Sequence, residues 1–426
     1  MTRFPRWLYP GLKIKRWVFL LILSCLFAGI GIARFLSDIF GGIRIDIFPP
    51  EKVEQVTNYL KGLKFIDLVV LIGGGIGIFL AFKKIAKSIG TVFAPEKSDE
   101  FVNLAYKRLQ LRKGPKIVAI GGGTGIPAVL SGLKEYTSNI TAIVTVADDG
   151  GSSGKLIKDF RTLPPGDIRN CLVALADEEM LISRLFQYRF DKSVGLEGHS
   201  FGNLFIIAMS ELTGDFAKAI KESSKTLAIR GQVVPVTLDR VILAAKLKDN
   251  TVVEGESKIG EAKIPIEDVF LKPSNARPSD DALFAIKDAD AIIFGPGSLY
   301  TSVLPNLLVH GVVDAVASTK VVKIYVCNIM TEPGETDGYT ANDHVSALFK
   351  HTREGLFDYI VINTEEIPAP LLTKYHQMGA DPVVWDYYEL KKLGISPIRS
   401  KVISTADYIR HDSTKLAKIL IKIISI

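Results

Sequence analysis

The sequence predicts an α/β protein: a mainly parallel sheet with helices on both faces and an inserted β-hairpin, preceded by two transmembrane helices. Three observations lead there. Two long apolar runs lie near the N-terminus. From residue 116 onward, short β-branched runs alternate with segments of helical spacing. Glycine-rich or polar turns follow the strand-like runs.

Trp17 to Ala33 is an uncharged apolar run of 17 residues, about 25 Å long at helical rise and close to the ~30 Å of a bilayer core. Phe65 to Phe82 is 18 residues long, carries only Asp67 as a charge, and contains Gly73, Gly74, Gly75 and Gly77. Arg3, Arg6, Lys13, Lys15 and Arg16 precede the first run, and Lys83, Lys84 and Lys87 follow the second. Both flanks therefore read as cytoplasmic. The competing reading is a cleaved signal peptide followed by a buried core helix. Against it, the first run ends at Ala33-Arg34 without a small-x-small cleavage site. The expected organisation is a cytoplasmic tail (1–16), a transmembrane helix (17–36), an extracytoplasmic loop (37–64), a second transmembrane helix (65–85), a linker helix (86–114) and a globular domain (115–426) at the inner face of a cell membrane.

Charge separates the regions too. The net charge of +6 rests entirely on residues 1–100, with 14 Lys and Arg against 8 Asp and Glu; residues 101–426 hold 38 of each. A neutral globular domain lacks the basic footprint of a nucleic-acid binder. Cys25, Cys171 and Cys327 are isolated, so no disulfide framework is expected. The six histidines show no zinc-ligand spacing.

Ser98 is placed to cap a linker helix that starts with Asp99 and Glu100, runs to Arg112 and Lys113, and stops at Gly114-Pro115. Strands are expected at Lys116–Ile120, Ile140–Val146, Ala291–Phe294, Val321–Cys327, Tyr359–Ile362 and Lys401–Ser404. Helices are expected at Pro127–Tyr136, Asp167–Ala176, Asn203–Leu212 and Ser413–Ile423. This alternation implies a mainly parallel sheet. Arg240 to Ile264 departs from it: apolar and polar residues alternate around Asp249-Asn250, the pattern of a hairpin.

Several motifs carry chemistry. After the first strand comes Gly121-Gly122-Gly123-Thr124-Gly125, then Ile126-Pro127 opening a helix. Without side chains a phosphate approaches the backbone N–H groups, the helix N-terminus favours its charge, and Thr124 adds a hydroxyl. A tight turn without a ligand has the same pattern, and the P-loop ending is absent. After the second strand, Asp148-Asp149-Gly150-Gly151-Ser152-Ser153-Gly154 places Asp148 25 residues beyond Gly123. An acid there suits ribose hydroxyls, and the adjacent pair suits a shared Mg²⁺; a polar turn is the bland alternative. In Pro164-Pro165-Gly166-Asp167-Ile168-Arg169-Asn170, Asp167 reads as a helix cap. Arg169 falls in the first turn, where the dipole disfavours it, and so calls for an anionic partner. Gly198-His199-Ser200-Phe201-Gly202-Asn203 opens another helix, with His199 and Asn203 available either to a ligand or to the turn itself. Gly295-Pro296-Gly297-Ser298-Leu299-Tyr300-Thr301-Ser302 is a second glycine turn after a strand. Asn328 and Thr331-Glu332-Pro333-Gly334-Glu335-Thr336-Asp337-Gly338 follow another. Arg410-His411-Asp412 precedes the last helix, with Asp412 a candidate cap and Arg410 either solvated or functional. Two glycine turns on one sheet point to two phosphate positions, or to one diphosphate lying across the strand ends. What unites the motifs is the shared carboxyl edge, where open α/β sheets bind ligands.

Together, GGGTG, ADDGGSSG, PPGDIRN, SFGN, GPGSLYTS, GETDGY and the terminal RHD resemble the YvcK-type gluconeogenesis factors, relatives of the phospholactate transferase CofD of deazaflavin coenzyme synthesis. The resemblance covers roughly 115–426; the membrane segments lie outside it and depart from the many soluble members. It implies a Rossmann-like domain that binds a UDP-sugar such as UDP-N-acetylglucosamine. The implied role is regulatory, supporting cell-wall synthesis and cell shape during gluconeogenic growth. On matching positions it implies contacts from Thr124 and Arg410 to the nucleotide-sugar, and a deazaflavin-facing acid at Asp148-Asp149. It also implies self-association; the cell-wall or regulatory protein that receives the signal is not legible.

Two readings follow. One is a membrane-tethered UDP-sugar sensor without turnover. The other is a transferase that moves a phosphate-linked group from a nucleotide diphosphate donor to an alcohol, with Mg²⁺, Asp148 and Asp149 stabilising the leaving pyrophosphate. A nicotinamide oxidoreductase is the third and least supported, because GGGTG departs from GxGxxG.

Overall fold

The computed structural model describes residues 14–40, 64–93, 101–177, 180–190, 196–404 and 408–425. Contacts divide the chain into two units, 1–109 and 110–426.

In the first unit, α1 (Ile14–Phe40) and α2 (Lys64–Phe93) are both longer than the apolar runs that predict them. The helical backbone satisfies its own hydrogen bonds and continues past the last apolar residue. Arg16–Ala33 and Leu68–Ile85 are long and apolar enough to cross a membrane. The two helices run antiparallel and pack through small residues. A Cβ on Gly74 would stand 2.7 Å from the Ala28 backbone nitrogen, and one on Gly77 would stand 2.2 Å from Ser24 Oγ. Close approach of backbones is the usual basis of helix association in lipid. The expected loop beyond Phe40 and the Ser98 cap lie outside the described residues. The linker helix, α3 (Phe101–Arg112), is present.

The second unit is built on a seven-stranded sheet, parallel throughout. Its strands are β1 (Ile117–Gly121), β2 (Ile140–Val144), β3 (Gln232–Pro235), β7 (Ala291–Phe294), β8 (Val322–Val326), β9 (Tyr359–Asn363) and β10 (Ser396–Ser400), in the order β10-β9-β8-β7-β1-β2-β3. Alternate residues of β1 feed two cores. Val118 and Ile120 pack with Phe294 and Tyr325, whereas Ile117 and Ala119 pack with Leu130, Ile168 and Leu416. Burial on both faces explains why the strands read as unbroken apolar runs. The helices on the second face include α4 (Ile126–Leu133), α6 (Gly166–Leu175) and the final helix Ser413–Ile424. Three more helices complete the site region: α5 (Gly151–Phe160), α7 (Met180–Gln187) and α8 (Phe201–Thr213).

Three details differ from expectation. The hairpin is part of a three-stranded antiparallel sheet, with β4 (Ile242–Leu247) between β5 (Val252–Glu254) and β6 (Ile266–Lys272). Asn250 takes the left-handed turn conformation, φ 68°. A helix, Glu256–Glu261, occupies the segment expected to finish the hairpin. The edge strand is Ser396–Ser400 rather than Lys401–Ser404; Ile403–Ser404 instead pairs with Arg410–His411 in a two-stranded ribbon.

Chain direction reverses at β1. The chain moves outward through β2 and β3, then returns to β7 on the other side of β1 and continues to β10. The strand ends of β1 and β7 therefore flank a topological switch point, the place where open α/β sheets form a ligand crevice.

Candidate functional site

Both glycine turns lie at that switch point, one after β1 and one after β7, and they pack against each other. A Cβ on Gly125 would stand 2.2 Å from the Pro296 carbonyl oxygen, so nothing larger than glycine fits without moving backbone. Gly123 is left-handed, φ 63°. Gly121 and Gly122 are buried, whereas Thr124 is exposed. No side chain caps α4, which begins here with Pro127 in its first turn. Its first N–H groups thus keep the anion-binding character of a helix N-terminus.

One cradle donor is already engaged. The Gly123 N–H donates to Asp167 Oδ2 at 2.7 Å. Asp167 is therefore not the cap expected from sequence: Pro165 holds the N-cap position of α6 without a side-chain hydrogen bond. The carboxylate reaches across to the glycine turn instead. Burial pushes Asp167 up to about 6, opposed by the Gly123 bond and by Arg169.

The adjacent aspartates face different tasks. Asp148 Oδ1 accepts from the Gly150 N–H at 2.9 Å, and burial raises its pKa. Asp149 Oδ1 accepts from the Ser257 N–H at 2.9 Å, which ties the loop after β2 to the helix of the inserted sheet. Among the described residues no three His, Cys, Asp or Glu side chains are grouped to hold a metal ion.

Arg169 is 7% exposed. Its guanidinium donates to Asn170 Oδ1 at 2.7 Å and to Ser200 Oγ; burial and the neighbouring Arg189 lower its pKa, against the fields of Asp167 and Asp148. Asp167 and Asp148 make no direct ion pair with it, and the like charge of Arg189 opposes their field, so the anionic partner expected from its position is not found as a contact among the described residues. Ser200 also caps α8 by accepting from the Asn203 N–H. His199 Nδ1 meets Ser152 Oγ at 2.9 Å, and Asn203 Nδ2 donates to the same oxygen at 3.1 Å. The second, third and fourth motifs are therefore one hydrogen-bonded assembly. Ser152, its hub, sat in plain view within ADDGGSSG but offered no signal beyond a turn.

The second turn is more enclosed. Gly295 is left-handed, and the Gly297 N–H donates to Asn328 Oδ1 at 3.2 Å. Asn328 thereby holds the turn's shape. Beyond Ser298 the chain makes a π-helical turn, Leu299–Val303, in which Thr301 Oγ1 donates to Glu335 Oε1 at 3.1 Å. Glu335 is 7% exposed, and burial raises it to about 8. Glu256, in the first turn of the inserted helix, is raised to about 9 by burial and by the fields of Asp148, Asp167 and Glu335. Neither glutamate was a candidate from sequence. Glu335 lay inside GETDGY; Glu256 had no local signal, because the inserted sheet brings it in from elsewhere.

Arg410 is exposed, in the two-stranded ribbon, with its guanidinium 5.4 Å from the Tyr408 ring. Among the described residues no hydrogen bond or ion pair joins it to the glycine turns. Asp412 caps the final helix, accepting from the Lys415 N–H at 2.8 Å. A cleft lined by Asn328, Ile329, Asn363 and Glu365 opens at the ends of β8 and β9.

Comparison with known proteins agrees with this architecture. The family model described as "2-phospho-L-lactate transferase CofD" matches residues 117–403. The Bacillus subtilis protein named "Gluconeogenesis factor" is 49% identical over 311 residues, covering 73% of this chain and 98% of its own length. A Nostoc relative is 45% identical over 423 residues, 98% of this chain and 92% of its own. A crystal structure of a Bacillus halodurans protein superposes with a TM-score of 0.71 at 46% identity, covering 74% of this chain and all of that one. With the family model spanning the parallel sheet and both glycine turns, and with relatives near half identity along the same stretch, the chain belongs to the CofD family and groups there with the gluconeogenesis factors.

Proposed function

We propose that this protein is a membrane-tethered regulatory receptor for a UDP-sugar of the UDP-N-acetylglucosamine class. In this reading α1 and α2 cross the cell membrane and the α/β domain lies in the cytoplasm. One observation carries the reading: two mutually packed glycine turns flank the switch point of a parallel sheet. This is where a diphosphate finds an uncapped helix N-terminus and the Thr124 hydroxyl together. Asp148 at the tip of β2 takes the ribose side, and Arg410 reaches the ligand from the rim. The regulatory role, support of cell-wall synthesis and cell shape under gluconeogenic growth through a protein partner, is part of the proposal; the name of the relatives bears on gluconeogenesis alone. So is self-association.

Calorimetric titration of the purified protein with UDP-N-acetylglucosamine, GDP and NAD tests it. Saturable heat is expected with the UDP-sugar; its absence with every UDP-sugar tried would overturn the reading.

A transferase remains the second reading, favoured by the raised carboxyls of Asp148 and Asp167 beside the turn. A buried acid of raised pKa is suited to accepting the proton of an attacking alcohol. Mg²⁺ held by Asp148 would neutralise the pyrophosphate. Product from a guanylyl-lactate donor and a deazaflavin acceptor would favour it.

A further inference from the structure

The inserted sheet has no role in the phosphate cradle, yet its helix is locked into the site from two sides. Asp149 receives the Ser257 N–H at 2.9 Å, and a Cβ on Gly255 would stand 2.2 Å from Asp149 Oδ2. On the other side a Cβ on Gly334 would stand 2.6 Å from the Gly260 carbonyl oxygen. The helix is thus wedged between the loop after β2 and the loop carrying Glu335. Its first residue, Glu256, lies within the fields of both Asp148 and Glu335.

Each glutamate leaves one oxygen unused. Glu335 Oε1 accepts from Thr301, with Ser298 and the Tyr300 backbone close by, but Oε2 is buried and makes no hydrogen bond; the same holds for Glu256 Oε2. An unsatisfied buried polar atom costs about 1–3 kcal/mol, so two in one place mark groups waiting for a partner. That partner has to match carboxyls that keep their protons near neutral pH, raised to about 8 and about 9, each with an O–H donor beside an acceptor oxygen. It is not a metal ion bound by side chains as they stand, since no three ligating groups converge among the described residues. An uncharged group rich in hydroxyls and amides, which donate and accept alike, matches both.

We propose that Glu256 and Glu335 form the sugar subsite, taking the hydroxyl and amide hydrogens of the hexose while the glycine turns take the diphosphate. This rests on the nucleotide-sugar reading and adds to it a residue-level basis for choosing the sugar. The subsite is split between two parts of the chain: Glu335 comes from the parallel-sheet domain and Glu256 from the inserted sheet.

The test compares UDP with UDP-N-acetylglucosamine on the full chain in detergent micelles, by titration calorimetry. The wild-type protein binds the sugar nucleotide more tightly than UDP. Glu256→Ala and Glu335→Ala lose that preference, weakening the sugar nucleotide about tenfold or more with UDP affinity held within about twofold. Glu256→Gln, which still offers an acceptor and a donor, keeps most of the preference and controls for folding, as does the melting temperature of each variant. Equal loss for both ligands, or no loss for either, overturns the subsite. A wild-type protein that binds UDP and the sugar nucleotide equally overturns the subsite but leaves the nucleotide reading standing. Failure to bind any uridine nucleotide overturns both.

Discussion

The two glycine turns share a sequence signature and stand side by side, yet they are held differently. The turn after β1 is clamped by a carboxylate, Asp167 on the Gly123 N–H, and presents Thr124 to solvent. The turn after β7 is clamped by a neutral amide, Asn328 on the Gly297 N–H, and continues into a buried π-helical turn. The first is therefore charged at its edge and open, and the second is neutral and closed. A strand followed by glycines reports that backbone must come close to something. In the second turn that something is largely the first turn.

The strongest way to break this comparison is at their contact. Gly125→Val should cost about 3 kcal/mol or more, because the clash is with backbone that cannot yield. A thermal melt within a degree or two of wild type would show that the turns do not bear on each other.

The clamps should differ in their response to pH. Asp167 holds its proton up to about 6 in the folded protein, against an ordinary value of 3.8. The folded state binds the proton more tightly than the unfolded chain. The associated stability is therefore fully present below about pH 4 and is lost as pH rises through 6, by about 3 kcal/mol at most. Melting temperature of the ligand-free protein should fall across that window, and Asp167→Asn should flatten the fall. An unchanged profile in the variant would remove Asp167 as its source.

Asn328→Ala should cost less, about 1–2 kcal/mol, for one lost hydrogen bond and one stranded, half-buried N–H. The cost should be the same at pH 5 and pH 8; a pH-dependent cost would mean the second turn is charged after all.

Thr124→Ala should be the mildest, within about 0.5 kcal/mol of wild-type stability since the side chain is exposed. It should nevertheless weaken UDP-sugar binding several-fold, by about one hydrogen bond. Loss of stability without loss of binding would reverse the roles assigned to the two turns.

Much of the architecture was legible because it is local. Ala291–Phe294 appears as a strand with the ends read from its apolar run, and Asp412 caps the last helix as its position implied. Gln232–Pro235 was missed: it is short, begins with a polar residue and ends in proline, and becomes a strand only by pairing with β2. Ser396–Ser400 was missed for a related reason. An edge strand with half-buried polar residues carries little hydrophobic pattern. In the site, the glycine turns and the Asp148-Asp149 pair were visible as motifs. What sequence could not give was direction: Asp167 turns from its own helix to another turn, and the adjacent aspartates part company. Glu256 was invisible because its place depends on how a separate sheet docks.

The carboxyls around the cleft have one further consequence. Glu256 and Glu335, raised to about 9 and about 8, keep their protons near neutral pH, and the buried Arg169 shares its surroundings with a second guanidinium, Arg189. A ligand arriving there meets two neutral carboxyls, each with an O–H to donate, and not a wall of negative charge. With those charges absent, salt has little to screen at the two glutamates, and binding there should respond weakly to ionic strength below about pH 8. Raising the pH through 8 and 9 charges both glutamates together, so a subsite built on them should lose its ligand in that window.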